Sequence, residues 1–148
     1  MIITPSDTYF IHGLPNWSKD FSVDLIYPEI SVSLQRDGYT FPLRPLGFIL
    51  HIQKGGIIAA FAKDISSKIE RGRKVLSTFS RATRKYSEDE LDQLIADTPQ
   101  GKHNELWVDS GKAEIVAAYT IGGSKSFEKA VRKQGLDVRK MPTTIQHD

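Results

Sequence analysis

The chain has 148 residues, 39% of them hydrophobic and 26% charged, with 20 basic against 18 acidic side chains and a net charge of +2. That length suffices for one domain with a conventional core, and the lack of cysteine excludes disulfides, thiolate nucleophiles and cysteine–zinc sites. No run approaches the roughly 20 apolar residues of a membrane span. Residues 1–5 carry no signal-peptide pattern, and His12, His51, His103 and His147 show no metal-ligand spacing, so no metal is expected.

Residues 7–13 are aromatic and β-branched and stop at Gly13 and Pro15, which predicts a first strand with His12 on its C-terminal lip. Residues 21–26 read as a short second strand halted by Pro28. Residues 29–35 alternate cleanly, with Ile30, Val32 and Leu34 toward the core and Ser31, Ser33 and Gln35 on the other face. Arg36-Asp37-Gly38 makes a turn, and two prolines make residues 39–45 a loop. Residues 46–52 are the most apolar strand of the first half. Lys54-Gly55-Gly56 turns them into residues 57–62, as a buried hairpin or as a strand followed by a second element.

Residues 66–83 are compatible with a helix carrying the sparse apolar stripe Ile65, Ile69, Leu76 and Phe79, broken by Gly72. Ser87-Glu88-Asp89-Glu90 is a capping box opening a helix with Leu91, Leu94 and Ile95 on one face. Residues 104–109 and 113–121 are two strands around Ser110-Gly111. A last helix follows, capped by Ser124 or Ser126 and closed by Gly135, with Phe127, Ala130 and Val131 inward. Residues 136–139 read as a short closing strand, and the tail from about residue 142 as frayed. Strands come in runs and outnumber helices, which predicts a single α+β domain, residues 1–148, with a mainly antiparallel sheet and two or three flanking helices.

Charge is uneven. Between residues 68 and 85, Lys68, Arg71, Arg73, Lys74, Arg81, Arg84 and Lys85 face Glu70 alone. Such a run is a solvated face or a surface for an anionic partner, whether nucleic acid, a pyrophosphate or an acidic protein. The stretch 101–109 sets His103 and Glu105 two residues apart, on one side of a strand. Glu105, between Asn104 and Leu106-Trp107-Val108, is partly desolvated, a setting for proton transfer or for stabilising a cationic transition state. Glu114, beside Lys112, reads as solvent-facing, and His51 as an outer-face residue of its strand. Ser31 and Ser33 lack a neighbouring base and are poor nucleophiles. No Gly-x-Gly-x-x-Gly and no phosphate loop is present.

Three segments resemble the ADP-ribosyltransferase fold of bacterial toxins and effector domains. Tyr9-Phe10-Ile11-His12-Gly13 is similar to the first-strand motif whose histidine or arginine grips the NAD ribose. Ile30-Ser31-Val32-Ser33 resembles the Ser-x-Ser strand that braces the nicotinamide pocket. His103-Asn104-Glu105-Leu106-Trp107-Val108, followed by residues 115–119, is similar to the late strand pair opened by the catalytic glutamate. The resemblance implies a split sheet and NAD as a substrate, without a metal. It makes Glu105 and His103 the catalytic pair, with His12, Gly13, Ser31, Ser33 and Arg36 on NAD. Arg36, Arg44 or the basic segment would meet the pyrophosphate. The target, a protein or a nucleic acid, would meet Arg71, Arg73, Lys74, Arg81, Arg84 and Lys85, and a cognate immunity protein is a further expected partner. The position two before Glu105 is His103, where arginine-modifying members have Glu or Gln. Two other readings compete: a non-enzymatic, immunity-type binding module, and a metal-independent ribonuclease using His12, His51 or His103.

Overall fold

The computed structural model describes residues 1–14, 27–63, 67–70, 73–76 and 84–142, and among these residues nine strands and two α-helices form. The strands are β1 (Thr8–Gly13), β2 (Glu29–Arg36), β3 (Leu46–Ile52), β4 (Ile57–Phe61), β5 (Ser67–Glu70), β6 (Arg73–Leu76), β7 (Glu105–Asp109), β8 (Ala113–Ile121) and β9 (Val138–Met141). The helices are α1 (Leu91–Asp97) and α2 (Lys125–Lys133). Seven strands form one mixed sheet in the order β4-β7-β2-β1-β3-β8-β9, while β5 and β6 pair only with each other. Every pair in the large sheet is antiparallel except β8–β9. The α+β class and the antiparallel core expected from the strand runs are what the chain adopts.

Alternation decides the two faces. Phe10, Ile30, Val32, Leu34, Phe48, Leu50, Leu106, Val108 and Ala118 point to one side, where Leu94 and Ile95 of α1 and Phe127 and Val131 of α2 close over them. This helix-covered face is the main core, and most of its members are no more than 2% exposed. The second face carries two smaller clusters, one of Tyr9, Ile11, Ile49, Tyr119 and Met141 and one of Ala59, Phe61 and Trp107.

Local chemistry sets the helix ends. The Ser87 N–H donates to Glu90 Oε1 at 3.0 Å, completing the capping box on a 3-10 turn, Glu88–Glu90, that leads into α1. Ser124 is the N-cap of α2, and Gly135, at φ 87°, takes the left-handed conformation that ends it. Strand β9 is anchored from the far side of the sheet: Arg139 Nη2 donates to Asp37 Oδ2 at 2.7 Å and lies 4.1 Å over the Tyr9 ring, whose hydroxyl donates to Asp37 Oδ1.

Four sequence expectations change. The helix over residues 66–83 is not formed where the chain is described: 67–70 and 73–76 are the antiparallel hairpin β5–β6, with Glu70 opposite Arg73. Gly72 leaves no stripe long enough for a helix, and each four-residue piece extends instead. Strand β6 approaches β2, an interior strand of the large sheet. Strands β3 and β4 are not a hairpin, since β3 pairs with β1 and β8 and β4 with β7. Likewise β7 and β8 are consecutive without being partners. The closing strand lies two residues later than expected. The expected strand at 21–26 and all but residue 142 of the expected frayed tail fall outside the described residues.

Candidate functional site

The centre of the sheet is a place where β2 changes partners. Its second half is laddered to β1, from Ile11 opposite Ser33 to Thr8 opposite Arg36, and its first half to β7, from Glu29 opposite Asp109 to Val32 opposite Leu106. Beyond Ile11, β1 stays laddered only to β3, through His12 opposite Phe48 and Gly13 opposite Gly47. Strands β1 and β2 therefore fork at His12 and Ser31.

Each end of this exchange is bridged by a side chain standing in for a backbone partner. On the β1 side, His12 Nδ1 lies 2.7 Å from Ser31 O. A carbonyl only accepts, so Nδ1 carries the proton, and in the neutral ring Nε2 is then the acceptor nitrogen. On the β7 side, Asn104 acts as a short strand. Its Oδ1 accepts from Leu34 N–H at 2.7 Å, and its Nδ2 donates to Leu34 O at 3.0 Å and to Thr98 Oγ1 at 3.1 Å. Ser33 Oγ donates to Asn104 O at 2.8 Å. Asn104 is fully buried, and this set of bonds fixes the residue immediately before Glu105.

Glu105 opens β7 and is 5% exposed. It faces away from the helices, opposite Phe61 of β4, and Trp107, two residues on and on the same face, donates its indole N–H to Glu105 Oε1 at 3.0 Å. Trp107 is also opposite Ser31. Ser31, Ser33, Glu105 and Trp107 thus share the second face beside the fork. A buried carboxylate requires donors there, and the indole supplies one.

The other sequence-chosen residues are distributed as follows. His12 leaves the sheet on the side of Phe48, opposite to Glu105, and reaches Ser31 through the fork itself. Gly13 faces Arg44 and Tyr119: a Cβ on it would lie 2.7 Å from Arg44 Cβ and Cγ and 3.2 Å from the Tyr119 hydroxyl. Gly47, opposite Gly13, is tighter still, its Cβ running into His12 O and lying 2.9 Å from Tyr119 Cε1. Arg36 is at the far end of β2, exposed, 3.6 Å from Asp7 and over the Tyr39 ring. His103 does not alternate with Glu105 on a strand, because β7 begins only at Glu105. Residues 101 and 102 are tied to the 39–41 loop by Gly101 N–H to Tyr39 O and Phe41 N–H to Lys102 O. The ladder fails there because the Asn104 side chain has taken the Leu34 groups that a backbone neighbour would use. His51 and Glu114 are exposed and opposite one another on β3 and β8, as expected of outer-face residues.

Of the basic segment, the structure describes the side chains of Arg84 and Lys85. Arg84 is held by Glu90 at 3.0 Å and Asp97 at 3.4 Å and stacks 4.3 Å over Tyr86. Its guanidinium is pushed above its usual range, chiefly by the Glu90 hydrogen bond. Asp97 is pulled below the usual carboxylate range, first by the Tyr86 hydroxyl, then by Gln93. Among the described residues no group of three or more His, Asp or Glu is placed to hold a metal ion.

Sequence reasoning missed Asn104 and Trp107. The tryptophan had a signal, because residues i and i+2 of a strand share a face. Asn104 had none, because the Leu34 groups that it bonds are 70 residues away. No protein-family model matches the chain, and no curated protein matches it either.

Proposed function

We propose that the chain is an ADP-ribosyltransferase-like enzyme that breaks the nicotinamide–ribose bond of NAD and transfers ADP-ribose to a macromolecular target. The observation that carries the reading is Glu105: a buried carboxylate oriented by the Trp107 indole, on the same face as Ser31 and Ser33, at the edge of a fork occupied by His12. The division of β2 between β1 and β7 supports the split sheet that the resemblance implies, which remains part of this proposal.

In this reading the bond between ribose C1′ and the nicotinamide nitrogen breaks with its electron pair leaving on nicotinamide, which departs neutral. Positive charge develops at C1′ and the ring oxygen, and the Glu105 carboxylate stabilises it in a poorly solvated setting. A nucleophile of the target then attacks C1′ and loses its proton. His12, with Nδ1–H committed to Ser31 O at the fork, is the residue that the resemblance sets against the NAD ribose. Ser33 acts through Asn104, fixing the start of β7. For the pyrophosphate, Arg44, packed over Gly13 at the fork, is better placed than Arg36, which lies about 17 Å further along β2. The target would be met through the basic segment 71–85, where Arg84 is already balanced by Glu90 and Asp97.

The test is nicotinamide release from NAD, with and without cell lysate. Glu105→Ala abolishes it while the circular-dichroism spectrum stays that of the parent and stability to melting falls only by what the unpartnered Trp107 N–H costs, about 1–3 kcal/mol. Unchanged release by a folded Glu105→Ala protein would sink the assignment.

A further inference from the structure

The second helix offers a surface that the catalytic reading does not use. Residues Lys125, Lys129, Arg132 and Lys133 of α2, with Lys140 of β9, line a groove of about 660 Å³ whose single acidic lining residue is Glu128. At 3.6 residues per turn the four helical cations fall within about 100° of arc, and the lysines step along the axis by about 6 Å each. All five cations are exposed.

Glu128 is 6% exposed and already committed. Its Oε2 accepts from Ser124 N–H at 3.2 Å, and its Oε1 lies 3.6 Å from Arg132 and 3.8 Å from Lys140. It ties the helix to β9 and balances those two cations. Lys125, Lys129 and Lys133 make no ion pair among the described residues, and three like charges on one helix stripe repel one another. Such an arrangement is relieved by an external polyanion with regularly spaced charge.

We propose that this groove docks the phosphate backbone of duplex nucleic acid, without reading base sequence. The chemistry separates this partner from its competitors. The apolar residues of α2, Phe127 and Val131, are fully buried against the sheet, so the helix has no face left to enter a bilayer. The lining contains no aromatic or aliphatic anchor of the kind that dominates protein interfaces. Nor does it offer a ring on which single-stranded bases stack, which favours a duplex. The groove is also remote from Glu105. Five strand spacings separate β7 from β9, about 24 Å across the sheet. The proposal is therefore independent of NAD chemistry and stands or falls separately.

Fluorescence anisotropy of a labelled mixed-sequence DNA duplex, titrated with the full chain between about 50 and 200 mM salt, tests it. The expected log–log salt slope is about −2.7 to −4.5, from three to five phosphate contacts at about −0.9 each. The Lys125→Ala/Lys129→Ala/Lys133→Ala variant, whose changes are all on the exposed helix face, reduces that slope by about 2 to 3 and weakens binding at least about tenfold at the lowest salt. Replacing the same lysines by arginine retains binding, and Glu105→Gln binds as the parent does. Absence of salt-dependent binding, or undiminished binding by the triple alanine variant, would overturn the proposal. So would tighter binding to phosphatidylserine vesicles than to the duplex, or loss of duplex binding in Glu105→Gln.

Discussion

The two faces of the sheet are built from the same strands by the same alternation, yet they do different work. The helix-covered face is largely apolar along β2, β3 and β7, with Thr8 and His12 flanking Phe10 on β1, and both helices close on it. The second face mixes Tyr9, Ile11, Phe61 and Trp107 with Ser31, Ser33, Gln35 and Glu105, several of them just as deeply buried. Its polar members are individually satisfied: Gln35 donates to Thr40 O at 2.8 Å and accepts from Thr40 Oγ1 at 3.0 Å, Ser33 bonds Asn104 O, and Glu105 accepts from Trp107. A face meant only to hold the fold together gains little from such residues, because a buried polar group at best recovers what it lost in leaving water. The proposed function rests on that difference.

Substitutions sharpen that contrast. On the helix side, Phe127→Ala should lower unfolding free energy by about 3–5 kcal/mol, read from denaturant titration, since it opens a cavity where the fully buried ring sits. Asn104→Ala should cost about 2–3 kcal/mol by leaving the Leu34 N–H and C=O without their partner, and it should also depress nicotinamide release by loosening the start of β7. Trp107→Phe keeps the ring but deletes the donor to Glu105, for about 1–2 kcal/mol, with a larger fractional loss of turnover than of stability. Glu105→Gln should hold stability within about 1 kcal/mol, because the amide oxygen still accepts from the indole, while turnover disappears. If Glu105→Gln unfolded the protein as Phe127→Ala does, the second face would be ordinary core and the comparison would fail.

The smallest effect is in alkaline solution. Burial, then the hydrogen bond to Asp37 and that carboxylate's charge, push the Tyr9 hydroxyl well above its ordinary value, against the opposing pull of Arg139. Burial does the same to Tyr119, opposed by Arg44. The folded state keeps protons that the unfolded chain releases above about pH 10, so this stability is complete below that pH and declines as pH rises through it. Tyr9→Phe should flatten the alkaline limb of a stability–pH curve, on a neutral plateau lowered by about 1.5–3 kcal/mol through loss of the bond to Asp37.

Much of the fold could be read directly. Alternation in Ile30-Ser31-Val32-Ser33-Leu34 announced both the strand and its two faces, and the capping box and Gly135 bounded the helices, because these signals are local and period-bound. The hairpin β5–β6 was misread as helix because a short apolar stripe interrupted by glycine suits either form until pairing decides. Pairing choices themselves were not legible: β3 and β4, like β7 and β8, follow one another through turns and still belong to different neighbours.

The Glu105 region shows the same division. The sequence by itself determined that a carboxylate stands among apolar strand residues and that Trp107 shares its side, since both follow from strand periodicity. Only the tertiary structure decided that β2 exchanges β1 for β7 beside it, that His12 fills the fork, and that Asn104, not His103, governs where the strand begins. Those facts rest on hydrogen bonds between residues 19 and 70 positions apart, and composition and periodicity carry no information about contacts at that range.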